Sequence, residues 1–512
     1  MFLRVTASAD TYITDKIINN AFSASDANVG RAGTLDIFRL YGESKLAGYD
    51  TTNELSRVLI KFDYDQIESL WGSNKIDIDH SSFKCELRMF NALAGVTPTN
   101  FTLTLFPLAQ AFDEGYGRDV ASFRDLDSAN FITASVTNQV NAWYLSGADA
   151  QGNLGDSNID IYVSGDLGTG LESLNVSQVF TDGSEDLKLD ITKLVSASIK
   201  GDLANYGFRL SYTGSQEQDT TTRFVKRFGS RHAINRNLRP VIDVSFDDSI
   251  HDSHNDFYFN LSGSLFLNNF ERGRLSNIKS GSNLVSVTGL NSLKLTLKTG
   301  SYSFETNAGQ HSLAGAGNIF TTGVYSSSFA IDSFGSSSVN DYDTLEDFIR
   351  KSGSVTFDEI WGSQDGTVGF ITSSVTIKSP QFYAFNQDPR DIEVKLTNLR
   401  DEYRFDEVAR VRMFVIDFNE QPRAAKRAFV RTSALIDEAY YRIRDAVSGD
   451  VLIPFMRDNN GTRLSIDSEG PYFDLRADSL YPGRTYRVDV LVIDGDEETI
   501  HTPNSVFRIK NQ

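Results

Sequence analysis

Six basic residues crowd one short segment of a chain whose formal net charge is −19: Arg223, Lys226, Arg227, Arg231, Arg236 and Arg239. Cations so concentrated on an acidic protein can dock on the acidic surface of a neighbouring subunit and set its register by charge complementarity. They can equally be neutralised by carboxylates of their own domain. Phe224, Val225 and Phe228, interleaved with them, suit a core as well as an interface. Arg423, Lys426, Arg427 and Arg431 form a second stretch open to the same two readings.

Other residue groupings point to weaker chemistry. His251 and His254, flanked by Asp248, Asp252 and Asp256, have a spacing at which a bend could gather imidazoles and carboxylates around a metal. A solvated hinge explains the same residues, and we favour it, because linkers concentrate polar side chains. The acidic turns Asp182-Gly183-Ser184-Glu185-Asp186 and Asp494-Gly495-Asp496-Glu497-Glu498 offer oxygens to calcium, yet neither follows the EF-hand pattern. Ordinary turn preferences of Asp and Gly account for them. Trp71, Trp143 and Trp361 sit beside Gly, Ser or Asn, as glycan-stacking platforms on loops would. Plugging the ends of sandwiches is the commoner role for such rings.

Catalytic signatures are missing. Gly315-Ala316-Gly317-Asn318-Ile319-Phe320 breaks the dinucleotide fingerprint at its last position. There is no Walker loop, no His-Glu-x-x-His and no Gly-x-Ser-x-Gly, and His80, His232, His311 and His501 are scattered. With 68 acidic residues, paired carboxylates carry no signal. We expect no enzyme and no cofactor.

The elements that position these residues are strands. Leu293, Leu295 and Leu297 alternate with Lys294, Thr296 and Lys298, and Tyr486, Val488, Val490 and Val492 repeat the period of two. Phe101-Leu103-Leu105, Ile159-Ile161-Val163 and Val411-Met413-Val415 do likewise. Turn-forming Gly, Asn, Asp and Ser separate them, as in antiparallel sandwiches. Helical spacing is confined to Ile191, Leu194, Val195 and Ile199, with Asp190 as N-cap and Gly201 as terminator, and to Leu345–Lys351. Tyr440–Asp445 and Val451–Phe455 read as a hairpin around Ser448-Gly449-Asp450.

At 512 residues the chain exceeds one core. The polar run Asp247–Asp256 and the segment Gln387-Asp388-Pro389-Arg390 mark the boundaries. The expected fold is all-β and multi-domain, built of antiparallel sandwiches. A jelly-roll-like domain spans 1–247, a Gly/Ser-rich β domain 257–387 and an immunoglobulin- or fibronectin-like domain 388–512. One cysteine, Cys85, excludes a disulfide framework. The acidic balance opposes nucleic-acid binding. The start lacks a secretory pattern and no apolar run reaches about 18 residues, so membrane insertion is not expected.

Four ordered pieces carry a resemblance. Ala9-Asp10-Thr11-Tyr12-Ile13, Arg57-Val58-Leu59-Ile60-Lys61-Phe62-Asp63, Tyr206-Gly207-Phe208-Arg209-Leu210 and Arg239-Pro240-Val241-Ile242 together resemble the DNRLRE-type β-sandwich. The loop residues Phe224-Val225-Lys226-Arg227-Phe228 and Ser230-Arg231-His232 make it similar to a variant found in virion structural proteins of tailed bacteriophages. Tyr440-Tyr441-Arg442-Ile443, Ile453-Pro454-Phe455, Gly470-Pro471-Tyr472-Phe473-Asp474 and Leu480-Tyr481-Pro482-Gly483 are similar to the ends of such proteins, and Phe257–Ile278 belongs with the same group. The resemblance implies a structural subunit of the neck, tail or baseplate, assembled in the host cytoplasm and residing in the virion. It would contact other virion proteins, in a ring of like copies. Arg223, Lys226, Arg227, Arg231 and Arg236 are then the expected interface, and no catalytic residue is implied. The alternative is a carbohydrate-binding or adhesin module for host-surface glycans, with Trp71, Trp143 and Trp361 as its platforms.

Overall fold

The computed structural model describes the whole chain except residues 43–52, 93–98, 122–127, 138, 169, 222, 313–318, 334–343, 380–390, 419–432, 435 and 511–512. The second basic stretch, the boundary near 387 and residues 315–318 of the Gly-rich segment lie outside the described residues. Antiparallel sheets dominate, and the chain is an all-β, multi-sandwich protein. It forms two compact units. The amino-terminal unit is Leu3–Ser69 with Lys84–Val244; the carboxy-terminal unit is Met1–Phe2, Leu70–Phe83 and Ser245–Gln512. The expected second and third domains therefore fall within one unit, although each has its own hydrophobic core.

In the amino-terminal unit a large sheet runs in the order Val176–Phe180, Phe101–Pro107, Phe208–Tyr212, Asn53–Lys61, Thr34–Tyr41, Phe224–Gly229, and Ala9–Thr14 also pairs with Asn53–Lys61. A four-stranded sheet contains Lys84–Met89 and Leu187–Asp190. Phe101 stacks on Phe180 with ring centroids 4.8 Å apart and meets Tyr212 edge-on. The buried Arg57 and Arg209, both within the resemblance motifs, come together on shared carboxylates: Arg57 reaches Glu217 at 2.6 Å and both reach Asp149, at 3.0 and 3.2 Å. The helix Thr192–Lys200 buries Leu194, Val195 and Ala197 and ends at Gly201, whose φ of 86° favours glycine. Its N-cap is Ile191, one residue later than expected, while Asp190 accepts from the Thr192 backbone N–H at 3.0 Å.

In the carboxy-terminal unit, a seven-stranded sheet has the order Phe257–Tyr258, Gly369–Lys378, Ser354–Ser363, Leu293–Thr299, Tyr302–Ser312, Phe320–Ala330, Ser262–Asn268. Leu293, Leu295 and Leu297 are fully buried, as their alternation requires. Residues beyond 390 form a four-stranded and a six-stranded sheet around a second core that includes Val411, Met413, Val415, Tyr486 and Val488. The Tyr486 hydroxyl donates to the Tyr481 carbonyl at 2.7 Å, the tyrosine-corner device of immunoglobulin-type sandwiches. Glu438–Asp445 pairs antiparallel with Val451–Ile453, which is the hairpin read from the sequence.

Candidate functional site

The basic segment is largely consumed inside its own unit. Along the strand Phe224–Gly229, alternate residues Phe224, Lys226 and Phe228 are buried. Lys226 is therefore a correction to the expected interface, because the strand period turns it inward. Its ammonium donates to Asn91 Oδ1 at 2.7 Å, Gly183 O at 2.8 Å and Glu185 O at 2.7 Å, and lies 5.0 and 5.1 Å from the rings of Phe180 and Phe228. The acidic turn weighed as a calcium loop thus gives its carbonyls to a lysine. Burial lowers the Lys226 pKa to about 8, although Glu185, Asp186 and Asp182 pull it upward. Arg227 faces Asp36 across the sheet and forms a bidentate pair at 2.6 and 2.5 Å. Arg223 and Arg236 stay exposed.

Arg231 belongs to a loop cluster whose other members the sequence reading missed. Its backbone N–H donates to Asp10 Oδ2 at 2.6 Å and its guanidinium lies 3.3 Å from Glu114 Oε2; His232 Nε2 is 3.5 Å from Glu114 Oε1. Burial raises Asp10 to about 7, helped by Glu114 and opposed by Arg231. A carboxyl group that holds its proton near neutrality suits acid–base work, but Asp10 is almost fully buried and offers no face to a substrate. Two interlocked loops hold Glu114. Asn28 donates to Glu114 O at 2.8 Å and accepts from Gly30 and Gly117 N–H at 3.0 Å each. A Cβ at Gly117 would stand 1.7 Å from Asn28 O, so only glycine permits the approach. The spacing Asn28-x-Gly30 and Glu114-Gly115-Tyr116-Gly117 was the available signal. Beside it Tyr116 is exposed, with the Arg31 guanidinium 4.4 Å above its ring.

The segment Asp247–Asp256 is an ordered part of the carboxy-terminal unit, which overturns the hinge reading. Asp252 N–H donates to Ile466 O at 3.1 Å and Ser253 N–H to Ser264 O at 2.8 Å. His254 Nδ1 lies 2.6 Å from Asp252 Oδ1, and Nε2 lies 3.0 Å from Glu359 Oε2. Burial alone would push His254 down; the hydrogen bonds and charges of Asp252 and Glu359 outweigh it and lift the imidazole to about 10. With both nitrogens protonated and committed, this ring has no lone pair for a metal or for general-base work. Among the described residues no group of three or more His, Cys, Asp or Glu could hold a metal ion.

The tryptophans also need correcting as exposed platforms. Trp361 is buried with its indole N–H donating to Glu359 Oε1 at 2.5 Å, and Trp143 is buried with its N–H on Asn130 O at 2.9 Å. Both rings fill cores because that is where their large apolar faces leave water. Trp71, on the helix Asp65–Gly72, is half-buried.

One exposed apolar surface was not anticipated. Two small hairpins, Phe270–Glu271 with Arg274–Leu275 and Lys279–Ser280 with Val285–Ser286, form a tip on which Phe270, Leu284 and Val285 are 62, 65 and 64% exposed, with Leu290, 60% exposed, just after the second hairpin. The base of the tip is buried and fully bonded. The Tyr325 hydroxyl accepts from Ile278 N–H at 2.9 Å and donates to Val287 O at 2.8 Å. Gln310 donates to Asn277 Oδ1 at 2.9 Å and to Thr321 O at 3.0 Å. Lys279 bridges the hairpins through Glu271 at 2.9 Å. Fixed backbones that display apolar side chains to water are a device of binding surfaces.

No family model matches the chain and no curated protein matches it. Structural similarity is slight. The chain was matched to a putative membrane-anchored protein from Corynebacterium diphtheriae with TM-score 0.15 and 8% identity, covering 100% of this chain and 97% of that one. Three N-terminal domains of the bacteriophage RB49 highly immunogenic outer capsid protein gave TM-score 0.14 and 9% identity, with 99% of each chain covered. Human mucin-like protocadherin EC1-2 gave TM-score 0.14 and 10% identity over 46% of this chain and 94% of that one. At these TM-scores the likenesses carry no argument about function.

Proposed function

We propose that this chain is a structural subunit of a tailed-bacteriophage particle, in its neck, tail or baseplate, and that it works by binding neighbouring proteins. The observation that carries the reading is the anchored two-hairpin tip. Four large apolar side chains held in water on a bonded frame are stabilised when a partner covers them. The similarity of Phe224-Val225-Lys226-Arg227-Phe228 and Ser230-Arg231-His232 to the virion-protein variant supports the virion setting. Mass spectrometry of purified particles with a cryo-EM reconstruction tests it. A stoichiometric, ordered copy number is expected; absence of the chain from particles overturns the reading.

One observation favours a second reading, recognition of host glycans. Tyr116 is exposed beside Arg31, with Arg231 on the same loop cluster, a set suited to an anionic sugar. Titration of the chain against acidic host-envelope oligosaccharides decides it, and a Tyr116→Ala variant that binds them unchanged removes it.

A further inference from the structure

We propose that the two-hairpin tip of one copy docks on the acidic edge hairpin of a second copy of this chain. The inference rests on the protein-binding reading above and names its partner. Charge selects the occupant. The chain carries a formal net charge of −19, yet the tip presents Arg272 and Arg274, both exposed and without an ion pair among the described residues, while its acid Glu271 is taken by Lys279. Such a tip is complementary to a surface with unpaired acids and some apolar area.

The chain offers one. The strand Glu497–His501 pairs on one side with Thr485–Asp494 and, among the described residues, is not joined to any further strand of that sheet. Residues 494–500 are all exposed. Asp496 and Glu497 have no ion pair among the described residues, whereas Glu498 is held by Arg457 at 2.8 Å. Ile500, 55% exposed, supplies the apolar contact for Phe270, Leu284 or Val285. A free strand edge also leaves backbone groups to be paired. Two chains of like charge repel at long range, and an approach that brings Arg272 and Arg274 to Asp496 and Glu497 offsets that repulsion with local attraction. The surfaces differ, so the contact is heterologous and propagates from copy to copy, closing into a ring if the rotation permits.

The test uses the full chain with a photoactivatable benzophenone amino acid in place of Leu284. Mixing natural-abundance and 15N-labelled copies before illumination makes intermolecular products visible by mass spectrometry. Cross-links from position 284 to residues 494–501 of the other copy are expected. Arg272→Glu with Arg274→Glu should cut them by at least roughly tenfold, and Asp496→Arg with Glu497→Arg in the second copy should restore them. Circular dichroism establishes that these surface variants fold. Cross-links to other segments, no intermolecular cross-link, or no restoration on charge exchange overturns the contact. Presence of the chain in particles without this cross-link leaves the virion reading standing and removes the contact; the cross-link in a chain missing from particles does the reverse.

Discussion

Lys226 in the amino-terminal unit and His254 in the carboxy-terminal unit are both cations taken out of water, and they titrate in opposite directions. The lysine is fully buried, and its partners are two carbonyls, an amide oxygen and two ring faces. These are dipoles and quadrupoles without full charge, so burial dominates and the pKa falls to about 8. The histidine is held between two carboxylates, one of them on the nearly inaccessible Glu359, and rises to about 10. Depth of burial does not set the sign of the shift. The formal charge of the nearest acceptors does.

The largest break in this comparison is Glu359→Gln. It leaves His254 with one carboxylate while keeping an acceptor for the Trp361 indole. The imidazolium keeps Asp252 as its counter-ion, so the loss is that of one charge-assisted hydrogen bond, about 1.5–3 kcal/mol. Denaturant unfolding followed by Trp361 fluorescence should show that loss in the carboxy-terminal unit; a loss under about 1 kcal/mol would mean the carboxylates contribute little beyond hydrogen bonding. Next comes Lys226→Met, which keeps the bulk between Phe180 and Phe228 but orphans Gly183 O, Glu185 O and Asn91 Oδ1. A cost of about 1–3 kcal/mol, read by Trp143 fluorescence, is expected for the amino-terminal unit.

The pH dependence sharpens the comparison without a gross change of structure. His254 has a folded pKa above its unfolded value near 6.5, so its contribution is complete below that value and is lost as pH rises towards about 10. Lys226 has a folded pKa below its unfolded value of 10.5. Between about 8 and 10.5 the unfolded chain binds more protons, and stability rises with pH. Each group contributes a slope of at most about 1.4 kcal/mol per pH unit. Unfolding curves from pH 7 to 10 should therefore lose a falling component in His254→Asn and a rising one in Lys226→Met. Slopes that do not change in either variant would refute the assignment.

Much of this was half-legible in the sequence. The alternation Phe224-x-Lys226-x-Phe228 puts the lysine on the face of two phenylalanines, yet the sequence reading took it for an interface residue, because the acceptor turn at Gly183–Glu185, some 40 residues earlier, is what decides between core and interface. His254 and Asp252 were visible as neighbours, but Glu359 lies 105 residues away on another strand, and without it a polar segment reads as a solvated hinge. Strands, the Tyr440–Asp445 hairpin and the helices Thr192–Lys200 and Leu345–Ser352 followed from local period, which needs no distant partner, whereas the helix Asp65–Gly72 lay outside the helical spacing read from the sequence. The tip escaped notice because alternation distinguishes two faces of a strand and says nothing of whether a hairpin end is covered.

The smallest predicted effect is the most direct test of the rule. Asn91→Asp replaces a neutral acceptor 2.7 Å from the Lys226 ammonium with a carboxylate, giving the amino-terminal site the character of the other one. The Lys226 pKa should rise, and the gain in stability between pH 8 and 10.5 should shrink or vanish. The change at pH 7 stays near about 1 kcal/mol, since a charge-assisted hydrogen bond is gained while the new carboxylate meets Asp186, which already accepts from the Asn91 backbone N–H at 2.7 Å. Unfolding at pH 7 and pH 10, compared with the parent chain, measures both. A retained rise with pH would show that the lysine responds to burial whatever charge stands beside it.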